Sequence, residues 1–142
     1  MKNENEFNAA LSKALRRLQP RVFMIKASDK FTIGISDFLI FGFGKTLALE
    51  CKYAREWPSD KAQLLKHPFT GEQQTFLESV KLSGNLAFGL VAIGETKEMF
   101  LIPHTAIPEN GNWDTGSFKD GLSRFKTMWL DPQDLIYQTL GA

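Results

Sequence analysis

The chain has 142 residues, 43% of them hydrophobic and 23% charged, with a net charge of +1. That length predicts one domain able to bury a sizeable core, and the composition excludes disordered and collagen-like chains. The single cysteine, Cys51, excludes an intrachain disulfide and fits a reducing, cytoplasmic compartment. The opening MKNENEFNAA has no apolar segment of a secretory signal, and no run approaches the ~20 apolar residues of a membrane helix, so no membrane partner is expected.

Residues 4–18 carry Phe7, Leu11, Ala14, Leu15 and Leu18 at helical spacing, and Pro20 ends that helix. RVFMIKA (21–27) is β-branched and aromatic and reads as a strand. SDKFTIG (28–34) is a link. SDFLIF (36–41) and TLALECK (46–52) read as two further strands. Residues 54–69 are polar, of mixed charge, and hold Pro58 and Pro68; they read as a long loop of the kind that is often functional or mobile. Thr70 with Gln73 three residues on makes a capping box, so a helix runs from there to about Ser83, where Gly84 and Asn85 stop it. LAFGLVAIG (86–94) and KEMFLIP (97–103) are strands. GNWDTGSFKDG (111–121) reads as loop, and DPQDLIYQTL (131–140) as a short helix with Asp131 as cap and Pro132 at its first position. The order α-β-β-β-α-β-β predicts a mixed sheet flanked by helices, in the α/β or α+β class.

The chemistry gathers in GISDFLIFGFGKTLALECKY (34–53). A hairpin turn centred between Phe43 and Gly44 puts Asp37 directly opposite Glu50. Residues so opposed share a face, with Cβ atoms ~4.5–5.5 Å apart, and Lys52 shares the face of Glu50 because strand side chains alternate. A slip of one residue would separate the two acids. Two carboxylates this close stay ionised together only with positive charge between them. Lys52 supplies one charge and a divalent cation would supply more; two carboxylates with waters and a phosphate describe a Mg²⁺ site. Lys52 would then orient or deprotonate an attacking water, or stabilise developing charge.

These residues resemble the motif of the PD-(D/E)XK nuclease superfamily, a G-x-x-D strand followed by an E-x-K strand, with Ser36 where the eponymous proline would stand. HPFTGEQQTFLESVKLSGNLAFGLVAIGETKEMFLIP is similar to the region after the catalytic strand in RecU-type Holliday-junction resolvases and VRR-NUC nucleases, although His67 is separated from Gln73. The resemblance covers about residues 4–107 of a nuclease-like domain spanning 1–142, leaving 108–142 as an extension. It implies a restriction-endonuclease-like αβββαβ core and a metal-dependent DNA endonuclease of bacterial or phage type, using Mg²⁺ or Mn²⁺. The substrate would be branched or duplex DNA, and the protein a homodimer. On this resemblance Asp37 and Glu50 hold metal, Lys52 is the catalytic lysine and Gln73 orients Lys52 or the phosphate. Glu6 on the first helix would be the additional metal acid.

Arg16, Arg17, Lys26, Lys30, Arg55, Lys61 and Lys66 are candidate phosphate contacts that flank the predicted site, though each taken singly reads as solvated surface. Cys51 should face away from its two charged neighbours as a small buried hydrophobe. Trp57 would stack on a base or, more simply, pack its loop down. GFGKT (42–46) lacks the full phosphate-loop pattern and reads as a turn. The rival to an enzyme is a catalytically inactive nucleic-acid-binding or assembly module on the same fold.

Overall fold

The structure is a computed structural model describing residues 3–26, 36–127 and 139–140. In chain order its elements are α1 (Glu4–Arg16), β1 (Val22–Lys26), β2 (Phe38–Gly42), β3 (Lys45–Ala54), α2 (Gly71–Leu82), β4 (Leu86–Ile93), β5 (Glu98–Pro103), α3 (Thr115–Leu122) and β6 (Lys126–Thr127). The strands form one six-stranded sheet in the order β1-β2-β3-β4-β5-β6. Only β3 and β4 run parallel; the other pairs are antiparallel. A parallel pair needs a long crossover, which the stretch containing α2 supplies. The class is α+β, a mixed sheet with helices on its faces. None of the described helices is long and apolar enough to cross a membrane.

Two cores sandwich the sheet. Phe7, Leu11 and Leu15 of α1 pack on Phe38, Ile40, Leu47, Leu49 and Cys51, so the predicted stripe is the buried one. On the other face Leu77 of α2 joins Ala48, Val91, Ile93, Phe100, Trp113 and Phe118. The capping box at α2 is present as the sequence predicts: the Gln73 N–H donates to Thr70 Oγ1 at 3.1 Å, and the Thr70 N–H to Gln73 Oε1 at 2.9 Å.

The second core corrects two expectations. The stretch 111–121, expected as loop, contains helix α3. The loop 54–69 is not loose but tied to the segment before α3. The Leu64 N–H donates to the Trp113 carbonyl at 2.8 Å and the Phe69 N–H to the Gly111 carbonyl at 3.0 Å. Asn112 bonds both backbone groups of Leu65, at 2.9 and 2.8 Å. Phe118 of α3 then packs edge-on against Phe100 and Trp113. Trp57 takes its packing role, against Phe100 and Phe118, with its indole N–H donating to Glu98 Oε1 at 2.8 Å. Of the helix predicted over 131–140, only Thr139 and Leu140 lie within the described residues, and Leu140 is buried in the core beneath α1.

Candidate active site

Hairpin geometry builds the site. Phe43 and Gly44 both have positive φ, 54° and 75°, which makes a two-residue type I′ turn whose twist matches the strands it joins. Gly42 therefore pairs with Lys45 and Phe38 with Leu49, and the next positions along are Asp37 and Glu50. The predicted register is the observed one.

The ladder between β2 and β3 stops there. Among the described residues Glu50–Ala54 pair only with β4. Side chains take over from backbone at this edge: the Asp37 N–H donates to Glu50 Oε2 at 3.0 Å, and the Cys51 N–H donates to Asp37 Oδ2 at 2.8 Å. Such charge-assisted bonds orient both carboxylates. Cys51 points into the core beneath α1, as expected, and burial pushes its thiol well up.

Lys52 lies two residues beyond Glu50 on the same face. Its Nζ is 3.8 Å from Glu50 Oε1 and 5.4 Å from the centre of the Phe69 ring. Glu50 and Lys52 are both buried, at 3% and 6% exposure. Room for Phe69 comes from Gly89, which pairs with Glu50 across β3 and β4. A Cβ at Gly89 would stand 2.7 Å from the Phe69 ring.

Asp37, Glu50, Lys52 and Gln73 together line a polar cavity of about 320 Å³. Lys26 also reaches it, and its remaining wall is the N-terminal turn of α1, with Glu4, Asn5 and Asn8. Asn3 caps that helix, its Oδ1 accepting from the Glu6 N–H at 2.8 Å, and Phe7 stacks on Tyr53 at 6.0 Å. Glu6, expected as the additional acid, is exposed and does not line the cavity; Glu4 does. Helical geometry is the reason. At ~100° per residue Glu4 lies about 20° from the centre of the Phe7–Leu11–Leu15 stripe and Glu6 about 140° from it. The sequence held that signal, because the stripe alone says which acid faces the sheet.

Burial pushes the Glu50 carboxyl up from 4.5 to about 8, with Asp37 adding to the rise and Lys52 opposing it. Burial likewise raises Glu4, partly offset by Lys52. Crowded carboxylates held above their ordinary range are what an added cation would relieve. Among the described residues, no three His, Cys, Asp or Glu side chains are placed to hold a metal ion by themselves. That donor set does not fit zinc or a calcium cage. It fits Mg²⁺, which is usually held by one or two carboxylates with waters and phosphate oxygens.

The candidate phosphate contacts divide. Lys26 lines the cavity. Arg55 and Lys66 line a larger adjoining cavity of about 670 Å³, together with His67, which sequence reasoning left aside. Glu4 and Asn5 are common to both cavities. Lys61 is exposed and lines neither of them. Arg16 and Arg17 are at the far end of α1, about 18 Å along the helix from Glu4. Lys30 lies outside the described residues.

The sequence matches no protein-family model, and no curated protein matches it either. Among solved structures the chain is similar to Hjc of Archaeoglobus fulgidus, a Holliday junction resolvase from an archaeal hyperthermophile, with a TM-score of 0.54 and 17% identity. The match covers 84% of this chain and 89% of that one. At this identity the likeness shows the fold, and the fold is restriction-endonuclease-like.

Proposed function

We propose that the protein is a divalent-metal-dependent DNA endonuclease that hydrolyses phosphodiester bonds in branched DNA, as a homodimer. The observation that carries this reading is the convergence of Asp37, Glu50 and Lys52 on one wall of a polar cavity, made by the register of a single hairpin. The likeness in fold to a Holliday junction resolvase supports it. The adjoining cavity puts Arg55 and Lys66 beside the site as candidate phosphate contacts, among the acids Glu4 and Glu56.

Asp37 and Glu50 would hold the cation, Mg²⁺ or Mn²⁺. When bound, it supplies positive charge at the phosphate and makes a water more acidic. The chain's own residues supply the remainder. The hydrogen bonds from the Asp37 and Cys51 N–H groups fix the two carboxylates before substrate arrives. Glu50, whose pKa burial raises, would have to be ionised to hold the cation. Lys52, held between Glu50 and Phe69, offers an ammonium to the attacking water and to the charge that builds on the phosphate. Gln73 spends Oε1 on the helix cap and keeps its Nε2 donor for a phosphate oxygen. The water oxygen would bond to phosphorus as one of its O–H bonds breaks and that proton passes to solvent, the bond from phosphorus to one sugar oxygen breaks, and that oxygen takes up a proton from solvent.

The test is incubation with four-way junction, flap, duplex and single-stranded DNA, with Mg²⁺ or with EDTA, beside Lys52→Ala. Cleavage of the junction that needs Mg²⁺ and falls by ~10²–10⁴ in the variant is expected. Cleavage that survives the substitution overturns the mechanism, and binding without cleavage of any substrate favours the inactive module.

A further inference from the structure

Strands β1 and β2 are covered on one side. Val22, Met24, Phe38 and Ile40 are buried beneath α1. The other side carries Phe23 paired with Phe41 and Ile25 paired with Leu39. Helix α2 packs over β3 and β4, and exposure grows with distance from it. Ala48 on β3 is buried, its neighbour Leu39 on β2 is half-buried, and Ile25 on β1 is 44% exposed. In the next row Phe41 is half-buried and Phe23 is 52% exposed. An antiparallel sheet that faces water is ordinarily polar on that side. This one is apolar and aromatic, with the Phe23 and Phe41 ring centres 6.1 Å apart.

The same side carries the chemistry. Side chains alternate along a strand, so Thr46, Ala48, Glu50 and Lys52 of β3 share it. Ile25 and Leu39 stand level with Ala48, about 7 Å along the strands from Glu50, and Phe23 and Phe41 level with Thr46, about 13 Å from it. The charges on these strands beyond the site are of one sign. Arg21, Lys26 and Lys45 are exposed, and residues 17–26 and 38–49 hold no Asp or Glu. Lys26 also lines the catalytic cavity. Flat apolar rings with cations at their edge suit nucleic-acid bases, which stack on aromatic side chains while their phosphates meet Lys and Arg. A second copy of the chain fits less well. The exposed parts of the rings and of Ile25 offer roughly 300 Å², against the ~800 Å² a side of a standard interface. We infer that Phe23, Ile25 and Phe41 form a stacking platform for unpaired bases of the strand held at Asp37 and Glu50, so that the branched substrate is single-stranded within a few nucleotides of the cut. This rests on the nuclease reading for its site and names the kind of DNA that the site takes.

The experiment is titration in EDTA, read by fluorescence anisotropy, of wild type, Phe23→Ala, Phe23→Leu and Phe23→Trp with an oligothymidine strand, an abasic strand of equal length and a duplex. Light scattering gives the mass of each protein and a melting curve its folding. Phe23→Ala and Phe23→Leu are expected to bind oligothymidine at least ~5-fold more weakly than wild type. Phe23→Trp, which keeps a ring in place, is expected to bind it at least as tightly. Affinities for the duplex and the abasic strand should not change. Wild-type affinity for oligothymidine in Phe23→Ala or Phe23→Leu overturns the inference, as does an equal loss on the abasic strand. If Phe23→Ala does not fold, Phe23→Leu decides. A halved mass in either variant assigns the surface to a second copy and overturns the inference as well. So does a wild type that binds oligothymidine no better than the abasic strand. Mg²⁺-dependent cleavage of the junction by the wild type decides the nuclease reading separately, so the two can fail apart.

Discussion

The backbone N–H of Asp37 donates to the carboxylate of Glu50 at 3.0 Å, across the point where the β2–β3 ladder ends. The bond fixes Glu50 but does not neutralise it, and burial still holds its pKa near 8 against an ordinary 4.5. A buried acid with a raised pKa favours the fold while protonated. Its contribution is complete below about pH 4.5 and is lost as pH rises to about 8. The metal-free protein is expected to lose stability across that window, on the order of a few kcal/mol. Glu50→Gln should flatten the loss and melt higher than wild type at pH 8.5 while abolishing cleavage. Melting curves in EDTA from pH 5 to 9 check it.

On the proposed function, the same shift would couple cation binding to protons. A ligand must be ionised, so cation binding near neutral pH has to expel the Glu50 proton. Mg²⁺ affinity should rise up to ~10-fold per pH unit below pH 8 and level off above it. Calorimetry at pH 7 in two buffers of different ionisation enthalpy should read about one proton released per cation.

Gly89 holds open the place that Phe69 occupies beside Lys52. Gly89→Ala would force the ring away from a contact of 2.7 Å. It is expected to destabilise the protein by ~1–3 kcal/mol, the usual range for overpacking. It should also lower the cleavage rate at saturating DNA, because Lys52 loses the ring its ammonium faces. Denaturant melts and single-turnover rates check the two effects separately.

Gly44 tests the turn apart from the site. Its φ of 75° favours glycine, and an added Cβ would meet nothing within 4 Å. Gly44→Ala is therefore expected to cost ~1–2 kcal/mol from backbone conformation alone. Cleavage should persist, because the apolar alternation of Phe38, Ile40, Leu47 and Leu49 still enforces the register. A denaturant melt beside a cleavage assay separates the two.

The hairpin was legible because its information is local. Alternating apolar residues and strand periodicity bring Asp37 opposite Glu50 once the turn centres between Phe43 and Gly44, as it does, and the capping box at Thr70 and Gln73 is as local. Helix α3 was not legible. Gly116 and Gly121 disfavour a helix, and it forms where the Gly116 N–H meets the Asp60 carbonyl at 2.9 Å and Phe118 closes the second core. Asp60, with Trp57 against Phe118, belongs to the loop 54–69, far earlier in the chain.

By itself, then, the sequence determined the order of elements from α1 to β5 and the face shared by Glu50 and Lys52, through the repeat lengths of strand and helix, while the structure decided the hairpin register that sets Asp37 opposite Glu50. Only the tertiary structure decided which residues close the cavity opposite them. Glu4 and Asn8 reach it, and Arg16 and Arg17 do not, because the packing of Phe7, Leu11 and Leu15 against distant strands sets the position and roll of α1. Contacts between residues far apart in the chain set that position, while the apolar stripe of α1 already says that Glu4 and not Glu6 faces the sheet.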